Sequence, residues 1–372
     1  MPGTTIHRLI LAVSILFALA APPAQAEVLR LAFYATELGR KGPGLLYRDI
    51  ARGDDPQAEA VAAVIAAAAP DVLVLSGIDY DHDLLALSAL VERIAAAGGG
   101  PYPHRIALPP NAGLRTGIDL DGDGRTGGPG DAQGWGRFAG SGALAILSRL
   151  PVDGDGLRDL SGLPWADLPG GLIDGAGLSA EAAAVQRLSS HGHWLVPLRL
   201  PGGARITLMT WQATPPVFDG PEDRNGRRNH DETALWLRLL DGALGAAPDA
   251  PFVILGNANL DPLDGEGRRG ALAALLSDPR LQDPAPASTG GPAAAAAQGG
   301  ANAAQRGDPA LDTVDWGDDP GPGNLRVTYL LPSADLAVGG AGVLWPPPGD
   351  PLAATVAAAS RHRLVWLDLQ LP

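Results

Sequence analysis

Apolar runs of strand length alternate along this chain with segments whose apolar positions recur at helical spacing. Val28–Tyr34, Asp71–Ser76, Gly142–Ser148, His193–Leu200, Arg205–Trp211, Pro251–Gly256, Leu325–Leu331 and His362–Leu371 read as strands, apolar, partly β-branched and bounded by Gly, Pro or Asp. Gln57–Ala68, Asp83–Ala97, Asp231–Leu244 and Arg268–Leu276 read as helices by periodicity and length. Mixed alternation of this kind favours an α/β domain over an all-β one. Two irregular stretches, 109–141 and 285–324, interrupt it. The second carries the alanine run Ala293–Ala297 among Gly and Gln and reads as a mobile, low-complexity loop. No internal repeat is visible.

The first 26 of the 372 residues have the form of an export signal. Arg8 precedes the apolar run Leu9–Ala21, and Ala24-Gln25-Ala26 is a small-x-small cleavage site ahead of Glu27. That run is too short to cross a bilayer core of roughly 30 Å, and no other segment approaches the length required. The expected mature chain, 27–372, is a single domain in a periplasmic or extracellular setting. The absence of cysteine is compatible with export, with no disulfide framework to build.

Net charge is −14, and Lys41 is the only lysine. Readers of nucleic acid usually present a basic face, so this balance disfavours a polyphosphate backbone as partner without closing off a local arginine site.

The most informative segment is Pro251-Phe252-Val253-Ile254-Leu255-Gly256-Asn257-Ala258-Asn259-Leu260-Asp261-Pro262. An apolar strand ends at glycine, and two amides follow two positions apart. If the extended backbone continued, Asn257 and Asn259 would project from the same face beyond the strand end.

This segment resembles the Gly-Asp-x-Asn signature of the endonuclease/exonuclease/phosphatase superfamily, with Asn257 in place of the aspartate. Ile146-Leu147-Ser148-Arg149-Leu150-Pro151, Arg326-Val327-Thr328-Tyr329-Leu330-Leu331-Pro332-Ser333 and Arg361-His362-Arg363-Leu364-Val365-Trp366 fall in the family's order. The resemblance runs from Val28 to Leu371. It implies a four-layer α/β sandwich, with two mixed β-sheets face to face and helices outside. It also implies phosphoester hydrolysis dependent on Mg²⁺ or Mn²⁺.

The matching positions are mostly altered. The family's first-strand Asn falls on or beside Ala35, and its Gln-Glu on Ser76-Gly77. Its catalytic His falls on Gln212, the Asp before Tyr on Thr328, and the final Asp on Arg361. Asn259 and His362 match. Mg²⁺ is usually held by one or two carboxylates with waters and phosphate oxygens, and an amide can neither supply that charge nor act as a base. Losing general-base catalysis alone typically costs about 10²–10⁴ in rate.

Three features could compensate. Glu37 lies two residues beyond Ala35, and Asp79 and Asp81 two and four beyond Gly77; they could form a displaced metal site with Asn259, or Asp79, Asp81 and His82 could instead cap the helix that follows, with Glu37 a plain surface charge. Arg224, Arg227 and Arg228, in a charged loop before a helix, could hold a phosphate, or could pair with nearby aspartates, leaving Asn229 or Asp231 as the helix cap. Asp119, Asp121 and Asp123 have the i, i+2, i+4 spacing of the first half of a calcium loop, with Gly130 at the twelfth position and Asp131 one residue later.

Two function classes stay open: an exported metal-dependent phosphoesterase with a rearranged ligand set, and a catalytically inactive relative binding a phosphate-bearing ligand or a protein. In the first, His362 and Asn259 would contact phosphate. A calcium-stabilised binding module outside the family is a third reading.

Overall fold

A computed structural model describes residues 27–249 and 251–371; the leader-like segment 1–26 lies outside them. Eleven strands form: β1 (Val28–Ala35), β2 (Val72–Ile78), β3 (His104–Ile106), β4 (Ala143–Ser148), β5 (Arg158–Asp159), β6 (His193–Arg199), β7 (Arg205–Gln212), β8 (Phe252–Asn257), β9 (Thr328–Pro332), β10 (Ala337–Leu344) and β11 (Leu364–Gln370). The helices are α1 (Leu45–Arg52), α2 (Pro56–Ala68), α3 (Leu85–Ala96), α4 (Ala180–Val185), α5 (Arg224–Leu240), α6 (Gly270–Leu276), α7 (Gly290–Gln298) and α8 (Ala353–Ala359).

One sheet runs β10-β11-β1-β2-β4-β3 and the other β5-β6-β7-β8-β9. Both are mixed: β1 pairs with β2 and β7 with β8 in parallel, and the remaining pairs are antiparallel. Strand alternation builds the layers. In β8, Val253 and Leu255 enter the core shared with Phe33, Val74 and Ile146 of the other sheet, while Ile254 joins Trp236 and Leu272 on the outer helical side. On the opposite flank, Leu73 and Leu75 pack against Val61, Ile65 and Leu90 of α2 and α3. Each fully buried leucine of this kind contributes about 1.5–3 kcal/mol. The expected four-layer α/β sandwich is the observed one.

Several elements depart from the sequence reading. α5 begins at Arg224 rather than Asp231, so Asn229 and Asp231 lie inside the helix and cap nothing; its buried face there is polar, Arg228, Asn229, Asp231 and Glu232, and apolar periodicity does not register it. β10 contains Gly339, Gly340 and Gly342; the Trp366 ring packs beside the last two, and a Cβ on Gly342 would come within 2.7 Å of it. The alanine run is not a loop but α7, whose first residue donates to the Trp345 carbonyl at 2.9 Å.

One rim of the sandwich gathers the ends of β1, β2, β7 and β8 and the starts of β9 and β11. Val314, from the 285–324 stretch, bridges both Leu325 and His362 there. Among the described residues, no helix is long and apolar enough to cross a membrane.

Candidate functional site at the rim of the sandwich

Gln212, Asn257 and Thr328 stand side by side, as register partners on β7, β8 and β9. Asn257 continues the alternation of Val253 and Leu255 and so takes the face between the sheets. This is the row where the family's histidine and two aspartates would sit. Here it is uncharged, with Asn257 2% and Thr328 1% exposed and Gln212 half-buried. Gln212 Oε1 and Thr328 Oγ1 have no hydrogen-bond partner among the described residues.

Asn257 and Asn259 do not project in parallel. β8 stops at Asn257, and Asn259 adopts the left-handed conformation, φ 50°, that asparagine tolerates better than most residues. Asn257 Oδ1 accepts from the Asn259 amide at 2.8 Å, and Asn259 Nδ2 donates to the Ala213 carbonyl at 2.7 Å. One polar atom of each side chain is thus used to hold the turn and its approach to β7.

Gln212 Nε2 lies 3.5 Å from His191 Nε2, a ring that sequence reasoning passed over. Burial, reinforced by the Arg228 charge, pushes His191 down to about 4, so it is neutral at physiological pH. His362 is likewise pushed down to about 4, chiefly by burial and against the attraction of Glu37. Its ring meets Trp316 edge-on, with centroids 5.7 Å apart, and its Nδ1 is unpartnered. Among the described residues no carboxylate is hydrogen-bonded to it.

The displaced acids are used elsewhere. Glu37 faces Arg361: Oε2 accepts from the Arg361 backbone amide at 2.8 Å and from Ser360 Oγ at 3.1 Å, while Oε1 accepts from Arg361 Nε at 3.0 Å and from Nη2. Burial opposes its charge, but the hydrogen bonds from Arg361 prevail and hold the carboxyl below its ordinary range. Asp79 accepts from the Arg40 amide at 2.8 Å and the Gly142 amide at 3.2 Å, tying two loops together, and burial raises its pKa. Asp81 accepts from the Leu85 and Ala86 amides at 2.7 and 2.9 Å, capping α3. The capping alternative therefore describes Asp81; Asp79 is a loop clamp.

The three arginines do not converge on an open anion site. Arg224 donates to the carbonyls of Ala176 and Leu120, and Arg227 to that of Glu222. Arg228 is buried and donates to the carbonyls of Leu188, Gln133, Arg187 and Ser189. One turn on, Glu232 accepts from the Ser190 amide at 2.5 Å and the Thr214 amide at 2.6 Å, pinning the ends of β6 and β7; burial pushes its carboxyl up to about 7. Sequence reading missed this residue, since nothing local marks a helix glutamate as buried.

Asp119, Asp121 and Asp123 do converge, each offering a carboxylate oxygen within 4.8 Å of the others. Asp131 does not join them: it is 1% exposed and accepts from the Leu120 and Gly128 amides at 2.9 and 2.6 Å.

The divalent ion that the resemblance implies does not fit the rim. At Gly77 the backbone is left-handed, φ 73°, and a Cβ would sit 3.0 Å from the Glu37 amide nitrogen, so a glutamate there would strain the backbone and push against Glu37. Asn257 Oδ1 is taken, Thr328 brings no charge, and Arg361 brings a positive one.

The sequence profile of the Endonuclease/Exonuclease/phosphatase family matches residues 42–362. No curated protein matches the chain by sequence. An endonuclease/exonuclease/phosphatase from Beutenbergia cavernae superposes with TM-score 0.53 at 19% identity, over 92% of this chain and 72% of that one. A family protein from Leptotrichia buccalis gives 0.50 at 12% identity, over 92% and 100%. One from Bacteroides thetaiotaomicron gives 0.50 at 13%, over 94% and 99%. At these identities the structures speak to the fold, and the profile match supplies the family: the chain belongs to the endonuclease/exonuclease/phosphatase family.

Proposed function

We propose that this chain is a non-hydrolytic, exported member of its family that has kept the sandwich and replaced the metal-dependent site. The observation that carries the reading is the rim itself, with an uncharged Gln212–Asn257–Thr328 row beside a Glu37–Arg361 ion pair. Metal-assisted hydrolysis needs carboxylates to hold a hard cation and a group to take a proton from water. Every acid near the rim that sequence reasoning offered as a substitute is occupied by backbone amides or by Arg361. A binding role for a phosphate-bearing ligand or a protein remains. The protein partner is the better supported of the two, because Arg224, Arg227 and Arg228 are engaged with carbonyls. The signal-like segment 1–26 supports export.

Hydrolysis of a p-nitrophenyl phosphodiester and phosphomonoester by the purified mature protein tests this reading. With Mg²⁺ or Mn²⁺, turnover equal to that in EDTA is expected. Metal-dependent turnover that disappears in His362→Ala would establish the rearranged phosphoesterase instead.

A further inference from the structure

Away from the rim row, a cavity of about 170 Å³ opens between α7 and α8. Its size is close to that of the ~150 Å³ apolar cavity that takes up benzene in an engineered protein. Ala294 of α7 and Val356 and Ala357 of α8 form apolar walls with Trp345, and Arg363 and Asp315 supply the charge. None of Gln212, Asn257, Asn259, Thr328 or His362 lines it.

Arg363 is the unusual member. Its side chain is 3% exposed, and its guanidinium lies over the Trp345 ring at 4.4 Å. Of five N–H donors, Nη1 donates to the Ser360 carbonyl at 2.5 Å and Nη2 to Asp315 Oδ2 at 2.6 Å, while Nε is unpartnered. Among the described residues its guanidinium donates to one carboxylate. That carboxylate, Asp315, has a side chain 37% exposed and can turn out into water where another anion takes its place on Arg363.

We propose that this cavity binds a small organic monocarboxylate with a compact apolar body, of the aryl or short-chain alkyl class. The ligand's carboxylate takes the place of Asp315 on Arg363, and its body fills the alanine-lined space against Trp345. Charge balance at Arg363 is unchanged, one anion replacing another, and the gain comes from burying the apolar body. No step of this depends on whether the rim catalyses hydrolysis.

Calorimetric titration of the full chain with benzoate, using benzyl alcohol as a neutral control of similar shape, tests the assignment. Saturable benzoate binding is expected, with benzyl alcohol about tenfold weaker or worse. Asp315→Asn removes the competing carboxylate and should tighten benzoate several-fold. Ala357→Trp, at an exposed helix position, should block the opening and weaken it about tenfold. Equal affinity for the alcohol, binding untouched by Ala357→Trp, or no saturable binding would each overturn the proposal.

Discussion

Arg361 closes on Glu37 across the rim, its backbone amide 2.8 Å from Oε2 and its Nε 3.0 Å from Oε1. A guanidinium thus neutralises Glu37, from the position where the resemblance would put the family's final aspartate. The pair is partly solvated, the Arg361 side chain being 65% exposed, so its stabilisation is modest, about 1 kcal/mol. Arg361→Ala should lower the urea midpoint accordingly at pH 7. Glu37's folded pKa is depressed, so its contribution is present above the unfolded value of 4.5 and lost as pH falls through the lower folded one. The difference between variant and parent should shrink below that pH; a constant difference would contradict the pairing.

Gly77→Ala should destabilise by about 1–2 kcal/mol, the cost of a left-handed L-residue, plus the contact with the Glu37 amide. A thermal melt checks it, and an unchanged midpoint would show that the β2 end is not held as described.

Arg228→Met strips four carbonyl groups of their donor and removes the positive charge nearest the buried Glu232. A loss of about 3 kcal/mol or more is expected in chemical denaturation. Arg224→Ala and Arg227→Ala, more exposed, should each cost about 1 kcal/mol or less. Equal small effects of all three would favour the phosphate-site reading over the scaffold.

Asp312 is buried, and burial, with Asp261, Asp264 and Asp308 nearby, pushes its carboxyl up to about 7 from 3.8. A raised folded pKa means stability that is full below 3.8 and lost as pH rises through about 7. Asp312→Asn should therefore melt like the parent near pH 4 and several degrees higher at pH 8, with the gap growing in between. Parallel melting curves at pH 4, 6 and 8 would refute it.

Much of this was legible in sequence because β8 announces itself: Phe252–Leu255 alternate between two cores and stop at Gly256-Asn257. The altered positions Gly77, Gln212, Thr328 and Arg361 were legible for the same reason, each lying at or beside a strand end. Their new partners were not. Glu37 and Arg361 were each visible, yet 324 residues separate them, and nothing local predicts the pair. The polar first turns of α5 carry no apolar period, because Arg228 and Glu232 bury themselves against backbone groups rather than side chains. Nor does any pattern show that Thr313 accepts from the amides of Val327 and Thr328, at 2.9 and 3.1 Å, and lays the 285–324 stretch over the rim.

With Arg361 on Glu37 and no charge in the Gln212–Asn257–Thr328 row, the rim should hold no divalent ion, and Mn²⁺ binding checks this. Calorimetry on the chain carrying Asp119→Asn, Asp121→Asn and Asp123→Asn removes the one converging acidic triad found among the described residues. No saturable Mn²⁺ binding is expected in that background. A stoichiometric Mn²⁺ site that vanishes on adding Glu37→Gln would contradict it.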